Sequence, residues 1–110
     1  MGITKTEGFA IKTLEMAELI KSIGHPARLE IVKFLANSPS CICNDIVDEL
    51  PLAQPTISRH LSELKKVGLI KGSISGNNIC YCLDESKWSE LQSYLNQITE
   101  TLKTSSECCD

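Results

Sequence analysis

Six cysteines stand in three close pairs, and they are the residues of this chain best suited to coordination or redox chemistry. The pairs are Cys41 with Cys43, Cys80 with Cys82, and Cys108 with Cys109. The N-terminus lacks the apolar core of a secretion signal, so we expect a cytoplasmic protein, and disulfide frameworks are rare in that compartment. Paired thiols in a reducing compartment favour the binding of soft ions or the sensing of oxidation.

A second group of chemically capable residues lies in the segment 54–71. Pro55 suits the first turn of a helix, and Gly68 is placed to end it. One side of this helix carries Ile57, Leu61 and Leu64 at helical spacing. Its polar residues, which we expect to contact DNA together with Asn77 further along the chain, are Gln54, Thr56, Ser58, Arg59, His60 and Lys65.

A short helix with a polar, partly basic N-terminal face is what recognition in the major groove of DNA requires. The alternative is an ordinary amphipathic surface helix. The charge distribution favours DNA, because residues 54–71 carry four basic residues and one acidic residue although the whole chain has a net charge of −3. A basic patch on an acidic body suits a protein that binds DNA with one face and must release it.

The elements around this helix can be read from local signals. Helices are predicted over residues 9–23 and 26–37, a short strand over 41–43 and a short helix over 45–50. After Gly68, strands are predicted over 69–74 and 79–83, on either side of a turn at 75–78. A last helix follows Asp84, which can cap it. No apolar run is long enough to span a membrane, so no membrane partner is expected.

This order predicts a mainly α fold with a small β-wing, namely a winged helix-turn-helix with additional N- and C-terminal helices for dimerisation. The predicted domain covers residues 9–103, between an N-terminal arm at 1–8 and a flexible, cysteine-containing tail at 104–110. In the first helix we expect one side to be buried, comprising Phe9, Met16, Leu19, Ile20 and Ile23. In the second, the buried set is either Leu29, Val32 and Leu35 or Ile31 and Phe34.

The last helix carries an apolar stripe whose members are three and four residues apart: Trp88, Leu91, Leu95, Ile98 and Leu102. Such a heptad-like seam favours pairing with another helix. In so small a domain we predict that it forms a homodimer interface, together with Leu19 and Ile23 of the first helix. The alternative is that the stripe is ordinary core of a single copy.

Four segments together resemble the ArsR/SmtB family of bacterial metal- and metalloid-sensing repressors. They are His25–Ile31, Cys41–Cys43, Gln54–Leu61 and Lys66–Ile70, and the similarity covers about residues 15–95. The resemblance implies a homodimer joined by its terminal helices. It also implies binding to an inverted-repeat operator in double-stranded DNA and release when an ion binds. A regulator of this kind is not an enzyme.

The resemblance extends to the Cys41-Ile42-Cys43 segment, which is similar to the arsenic site of the family's arsenic sensors. A third cysteine found further into the next helix of those sensors is absent here. Strand geometry suggests a replacement, because residues two apart share a face. With Ile79, Tyr81 and Leu83 facing the core, Cys80 and Cys82 would turn outward. In a winged helix they would then meet the thiols of Cys41 and Cys43 across the paired strands.

We therefore predict a repressor that leaves its operator when arsenite or antimonite binds cysteine thiolates. The predicted ligands are Cys41, Cys43, Cys80 and Cys82, with Cys108 and Cys109 as a second candidate pair. The alternative to a cluster is that these cysteines only fill a sheet surface or a frayed tail. Alternative inducers are cadmium, lead or zinc, or thiol oxidation, although the histidines of the family's zinc sensors are absent from residues 84–103.

Two alternative functions that do not involve DNA binding are considered. A thiol oxidoreductase would need a Cys-x-x-Cys motif between a strand and a helix, and the chain has none. It would also leave the segments at 25–31 and 54–61 unexplained. A protein-interaction domain that uses the seam at 88–102 is the other such function, and absence of DNA binding would favour it.

Overall fold

The computed structural model describes residues 8–38, 50–75 and 78–104. Its elements, in chain order, are α1 (Ile11–Ile23), α2 (Pro26–Ala36), α3 (Gln54–Lys66), β1 (Ile70–Ser75), β2 (Asn78–Leu83) and α4 (Glu85–Thr104). The predicted mainly helical fold with a two-stranded wing is confirmed. The strand predicted at 41–43 and, but for Leu50, the short helix predicted at 45–50 lie outside the described residues, as do most of the N-terminal arm and of the C-terminal tail.

The helix ends follow from local chemistry. The His25 side chain accepts a hydrogen bond from the Ala27 amide at 3.0 Å and caps α2, whose first turn contains Pro26. Asp84 caps α4 in the same way, because its Oδ1 accepts from the Lys87 amide at 3.2 Å. Gly68 ends α3 with a φ of +88°, a conformation that glycine adopts without steric cost.

The core lies where α1, α2, α3, the base of the wing and α4 meet. Its buried members are Met16, Leu19, Ile31, Val32, Leu35, Ile57, Leu61, Leu64, Leu69, Ile70 and Leu91. For α2 the buried residues come from both predicted sets, since Ile31, Val32 and Leu35 are all buried while Phe34 is only partly buried. Among the described helices, none is long and apolar enough to cross a membrane.

Phe9 and Ile20, which were expected in the core, are exposed instead, as is Leu29, which belonged to one of the two alternative buried sets of α2. Phe9 precedes α1, which begins only at Ile11. Each helical residue is rotated by about 100° from the one before it. Ile20 follows the buried Met16 by four residues and Leu29 precedes the buried Val32 by three, so each lies at the edge of the buried side of its helix rather than at its centre. The prediction was wrong at these positions because it assumed a wider apolar face than the packing uses.

The wing is joined firmly to the helices at Leu69. β1 and β2 are antiparallel, with Ile70 opposite Leu83 and Ser73 opposite Cys80. Just before β1, the Leu69 amide donates to the Leu64 carbonyl of α3 at 3.1 Å. The Leu69 carbonyl accepts from the Asp84 amide at 3.0 Å and from the Trp88 indole Nε1 at 2.9 Å. One residue thus links α3, the wing and α4.

Candidate nucleic-acid interface and cysteine site

The exposed side of α3 carries four of the residues predicted to contact DNA: Gln54, Thr56, Ser58 and Arg59. The opposite side is anchored, since Ile57 and Leu64 are at most 1% exposed. Because buried leucine and isoleucine side chains fix the rotation of a helix about its axis, the polar side is presented in a defined orientation. A rigid helix of this kind can offer hydrogen-bond donors to base edges and phosphates.

The start of α3 is also suited to phosphate. Its N-cap residue, Ala53, provides no side-chain cap, and the first turn contains no acidic residue. The first amides of a helix lack partners within it, and the helix dipole places partial positive charge there. An anion is therefore favoured at this end, whereas Lys65 and Lys66 complement the dipole in the last turn.

Lys65 reaches the wing. A Cβ atom placed on Gly72 would lie 3.3 Å from the Lys65 Nζ and 3.4 Å from both the Ile79 Cγ2 and the Tyr81 Cε1. The ammonium group therefore lies against β1, beside the side chains of β2. Lys65 and Lys71 are both exposed, but Lys65 lies on the face of the hairpin that carries Gly72 and Tyr81, whereas Lys71 is on the opposite face with Cys82. Asn77, predicted to contact DNA from the turn, lies outside the described residues.

His60 is placed differently from the expectation that it faces DNA. It is 7% exposed, and its Nδ1 accepts a hydrogen bond from Arg28 Nε at 3.0 Å. Its ring lies 4.7 Å from that of His25. Burial, together with the positive charges of Arg28, His25 and Arg59, lowers the pKa of His60 below 6.5. The sequence held a signal for this, because His60 stands three residues after Ile57 and four before Leu64, which places it on the apolar side.

The two wing cysteines lie on β2. Cys80 and Cys82 share the face opposite to Tyr81, as expected from strand alternation. Cys80 is nevertheless buried, at 6% exposure, rather than turned out to solvent. Both cysteines are disulfide-bonded. The described residues contain no cluster of three or more metal-ligating side chains, and the other predicted ligands, Cys41, Cys43, Cys108 and Cys109, lie outside them.

The opposite face of β2 follows the prediction only in part. Tyr81 and Leu83 pack against the core as expected. Ile79, also expected to face inward, is 48% exposed. It lies next to the turn of the wing, whereas Tyr81 and Leu83 lie closer to its base and are partly buried. Ile79 therefore lies on the predicted face of the strand, but the prediction that it is buried was wrong.

The residues predicted for the dimer interface divide into two groups. Leu19 and Leu91 are each 3% exposed and belong to the core of the single copy, while Ile23 and Trp88 pack against that core. Leu95, Ile98 and Leu102 are 46%, 51% and 64% exposed. A groove of about 320 Å³ lies between the two groups, with Ile23 on one side and Leu95 on the other. Part of the predicted seam is thus internal, and the rest is apolar surface.

Comparisons with known proteins agree with this architecture. Residues 25–71 match the family described as "Bacterial regulatory protein, arsR family". The chain is 30% identical over 95 residues to the arsenical resistance operon repressor of Staphylococcus xylosus, covering 86% of each. It is 48% identical over 71 residues to an uncharacterised helix-turn-helix regulator of Methanocaldococcus jannaschii, covering 63% of this chain and 79% of that one.

A solved structure has a similar fold. It is an ArsR-like transcriptional regulator from Rhodococcus sp. RHA1, with a TM-score of 0.74 and 20% sequence identity, and the match covers 86% of this chain and 89% of that one. The likeness extends beyond the matched segment at 25–71 to nearly the full length of both chains.

Proposed function

The chain belongs to the ArsR family and is a DNA-binding transcriptional repressor, and from that premise we propose that it acts as a homodimer released from its operator by arsenite or antimonite. The observation that carries this proposal is the junction at Leu69. It connects a helix with an exposed polar face to a wing that carries two cysteines. A ligand that changes the wing would therefore act on the DNA-binding helix through covalently adjacent, hydrogen-bonded structure.

The proposed contacts to DNA come from the exposed side of α3 and from the wing. Arg59 is suited to bidentate pairing with guanine in the major groove, and Gln54, Thr56 and Ser58 to base edges or phosphates. Lys65 and Lys71 are placed to face phosphates. His60 is left out of this set because its ring is buried against α2.

The proposed dimer uses the exposed apolar residues of α4 and α1. Leu95, Ile98 and Leu102 form a stripe along α4, and Ile23 of the neighbouring α1 lines the same groove as Leu95. Monomeric soluble proteins rarely leave so many large apolar side chains together in water. A second copy supplies the complementary stripe, since a two-fold axis brings the same patch of both copies together. The two-fold symmetry of such a dimer also matches the inverted repeat proposed for the operator.

The proposed inducer site consists of thiolates of Cys41, Cys43, Cys80 and Cys82, in the reduced protein. Trivalent arsenic and antimony are soft ions that thiolates bind well. Support comes from the S. xylosus relative, which is an arsenical resistance operon repressor, and from the shared face of Cys80 and Cys82. The ion would bind the conformation with low DNA affinity, with a coupling free energy of ~1–3 kcal/mol.

The test is release of reduced protein from a promoter fragment of its own gene, titrated with arsenite, antimonite, cadmium, lead and zinc. Cys41→Ser with Cys43→Ser should leave DNA binding intact and abolish release by arsenite. Cys80→Ser with Cys82→Ser should do the same, whereas Cys108→Ser with Cys109→Ser should respond normally. If the tail variant alone loses the response, the ligands lie in the tail. Release by cadmium, lead or zinc but not by arsenite would replace the inducer and leave the repressor assignment in place.

One observation favours a second candidate, in which thiol oxidation is the signal. Cys80 and Cys82 are both disulfide-bonded. Formation of each disulfide removes two protons and two electrons from a pair of thiols, and hydrogen peroxide accepts them to give two molecules of water. Operator affinity measured with a chelator present, before and after peroxide and again after dithiothreitol, separates the two signals. Reversible release by peroxide, absent from the Cys80→Ser, Cys82→Ser variant, would favour oxidation over ion binding.

A further inference from the structure

Arg28 lies where three helices meet. Its Nε donates to the His60 Nδ1 in the middle of α3 at 3.0 Å, and its Nη1 donates to the backbone carbonyl of Ser22 near the end of α1, also at 3.0 Å. Arg28 itself belongs to the first turn of α2. One side chain therefore connects the end of α1 and the start of α2 to the helix that carries the DNA-binding face.

This connection requires a neutral His60. An imidazole nitrogen accepts a hydrogen bond only when it carries no proton. Protonated His60 would present an N–H to the guanidinium and a positive charge to its neighbours. Those neighbours are Arg28 and His25 from the start of α2 and Arg59 on α3 itself. Within the described part of the chain, no carboxylate forms a salt bridge with Arg28.

We propose that Arg28 is a positioning residue, which holds α3 in its DNA-binding orientation through the neutral ring of His60. His60 adjoins Arg59 in the helix, so a rotation of α3 that separates His60 from Arg28 also moves the guanidinium that faces DNA. The hydrogen bond to Ser22 fixes the other end of Arg28. The inference depends on DNA binding by α3 and is independent of which inducer or which cysteines act.

The proposal gives DNA binding a particular pH dependence. Because the pKa of His60 is lowered in the folded protein, the stability that the neutral ring contributes is present above pH 6.5 and is lost as the pH falls through the folded pKa. Operator affinity should fall in the same acidic range. A histidine that contacted phosphate directly would have the opposite effect, because its protonation would strengthen binding to the polyanion.

The chain has two histidines, which allows a matched pair of variants. In His60→Asn, the amide Oδ1 takes the place of Nδ1 as acceptor for Arg28 and does not titrate. In His25→Asn, the new side chain still caps α2, since asparagine is a favoured N-cap. His60→Leu removes the acceptor altogether, and Arg28→Met removes the donors while keeping most of the side-chain length.

The experiment measures fluorescence anisotropy of a labelled duplex recovered by the wild-type protein from a random-sequence pool, without any inducer. Between about pH 8 and about pH 5, wild type and His25→Asn should lose about tenfold in affinity, the order expected for one charge-assisted hydrogen bond. His60→Asn should bind like wild type at the higher pH and show little change. His60→Leu and Arg28→Met should bind about tenfold more weakly at the higher pH.

Circular dichroism at each pH establishes that the variants compared are folded. If His60→Leu and Arg28→Met unfold, the comparison of His60→Asn with His25→Asn still decides the question. The proposal is overturned if His60→Asn retains the wild-type pH profile, or if folded His60→Leu binds at the higher pH as tightly as wild type. Wild-type affinity that rises on acidification would also overturn it, and would favour a direct contact between His60 and phosphate.

Discussion

α3 and α4 are both amphipathic, but they use their apolar sides differently. On α3 the apolar residues Ile57, Leu61 and Leu64 are all buried within the single copy, and the remaining surface is polar. On α4 the apolar stripe is buried at Leu91 and exposed from Leu95 onward. Apolar residues at the same helical spacing are therefore fully buried in α3, whereas in α4 some are buried and the others are left exposed. α3 thus leaves a polar surface, which the proposed function assigns to DNA, whereas α4 leaves an apolar surface, which the proposed function assigns to a second copy of the chain.

The largest effect that tests this comparison is expected at Leu64. It is 0% exposed, so Leu64→Ala should lower the free energy of unfolding by about 2–5 kcal/mol, through lost burial and the cavity left behind. Leu102→Ala makes the same chemical change at a site with 64% exposure. In a monomeric background its cost should stay within about 0.5 kcal/mol. Urea denaturation followed by circular dichroism measures both decreases in the free energy of unfolding. Equal decreases would contradict the division of the α4 stripe into a buried and an exposed part.

The next effect concerns the exposed part of α4. Leu95→Glu places a charge in the proposed interface, where burial of an unpaired carboxylate is costly. We expect a monomer by light scattering, with the thermal unfolding of the protomer little changed. Ser93→Glu adds the same charge to an exposed position on another side of the helix and should remain dimeric. A stable dimer of Leu95→Glu would show that the exposed stripe is not the interface.

The smallest of the three effects is expected on the polar side of α3. Arg59→Ala should weaken operator binding by ~1–3 kcal/mol if its guanidinium pairs with a guanine. Unfolding should be unaffected, because the side chain is exposed. The affinity of each protein is measured for the operator and for a duplex in which that base pair is changed. Arg59→Ala should discriminate less between the two duplexes than wild type does, which identifies the contact. Unchanged affinity for the operator would remove Arg59 from the interface.

Local signals made most of the fold predictable. His25 and Pro26 start α2, Gly68 ends α3 and Asp84 caps α4, and each of these acts through atoms within a few residues along the chain. The predicted bounds of these elements therefore agree with the structure to within a few residues. The apolar period of α3 likewise identified the buried side of that helix.

The differences arise where a side chain's surroundings come from distant parts of the chain. His60 is polar, and its burial depends on Arg28, which is 32 residues away. Ile79 is exposed next to the turn of the wing, and alternation along a strand does not reveal how far the core extends along it. The disulfide bonding of Cys80 and Cys82 is likewise a relation between sulfur atoms that spacing along one strand does not determine.

The hydrogen bond from the Trp88 indole to the Leu69 carbonyl gives the protein an intrinsic optical probe. Trp88 is the one tryptophan in the chain. Its indole N–H contacts the residue that connects α3 to the wing. A rearrangement that moves the wing relative to α3 would alter the polarity around the ring, and so the wavelength and intensity of its emission. If binding of DNA or of a soft ion, or oxidation of thiols, causes such a rearrangement, stopped-flow fluorescence would follow it in the unlabelled protein in real time.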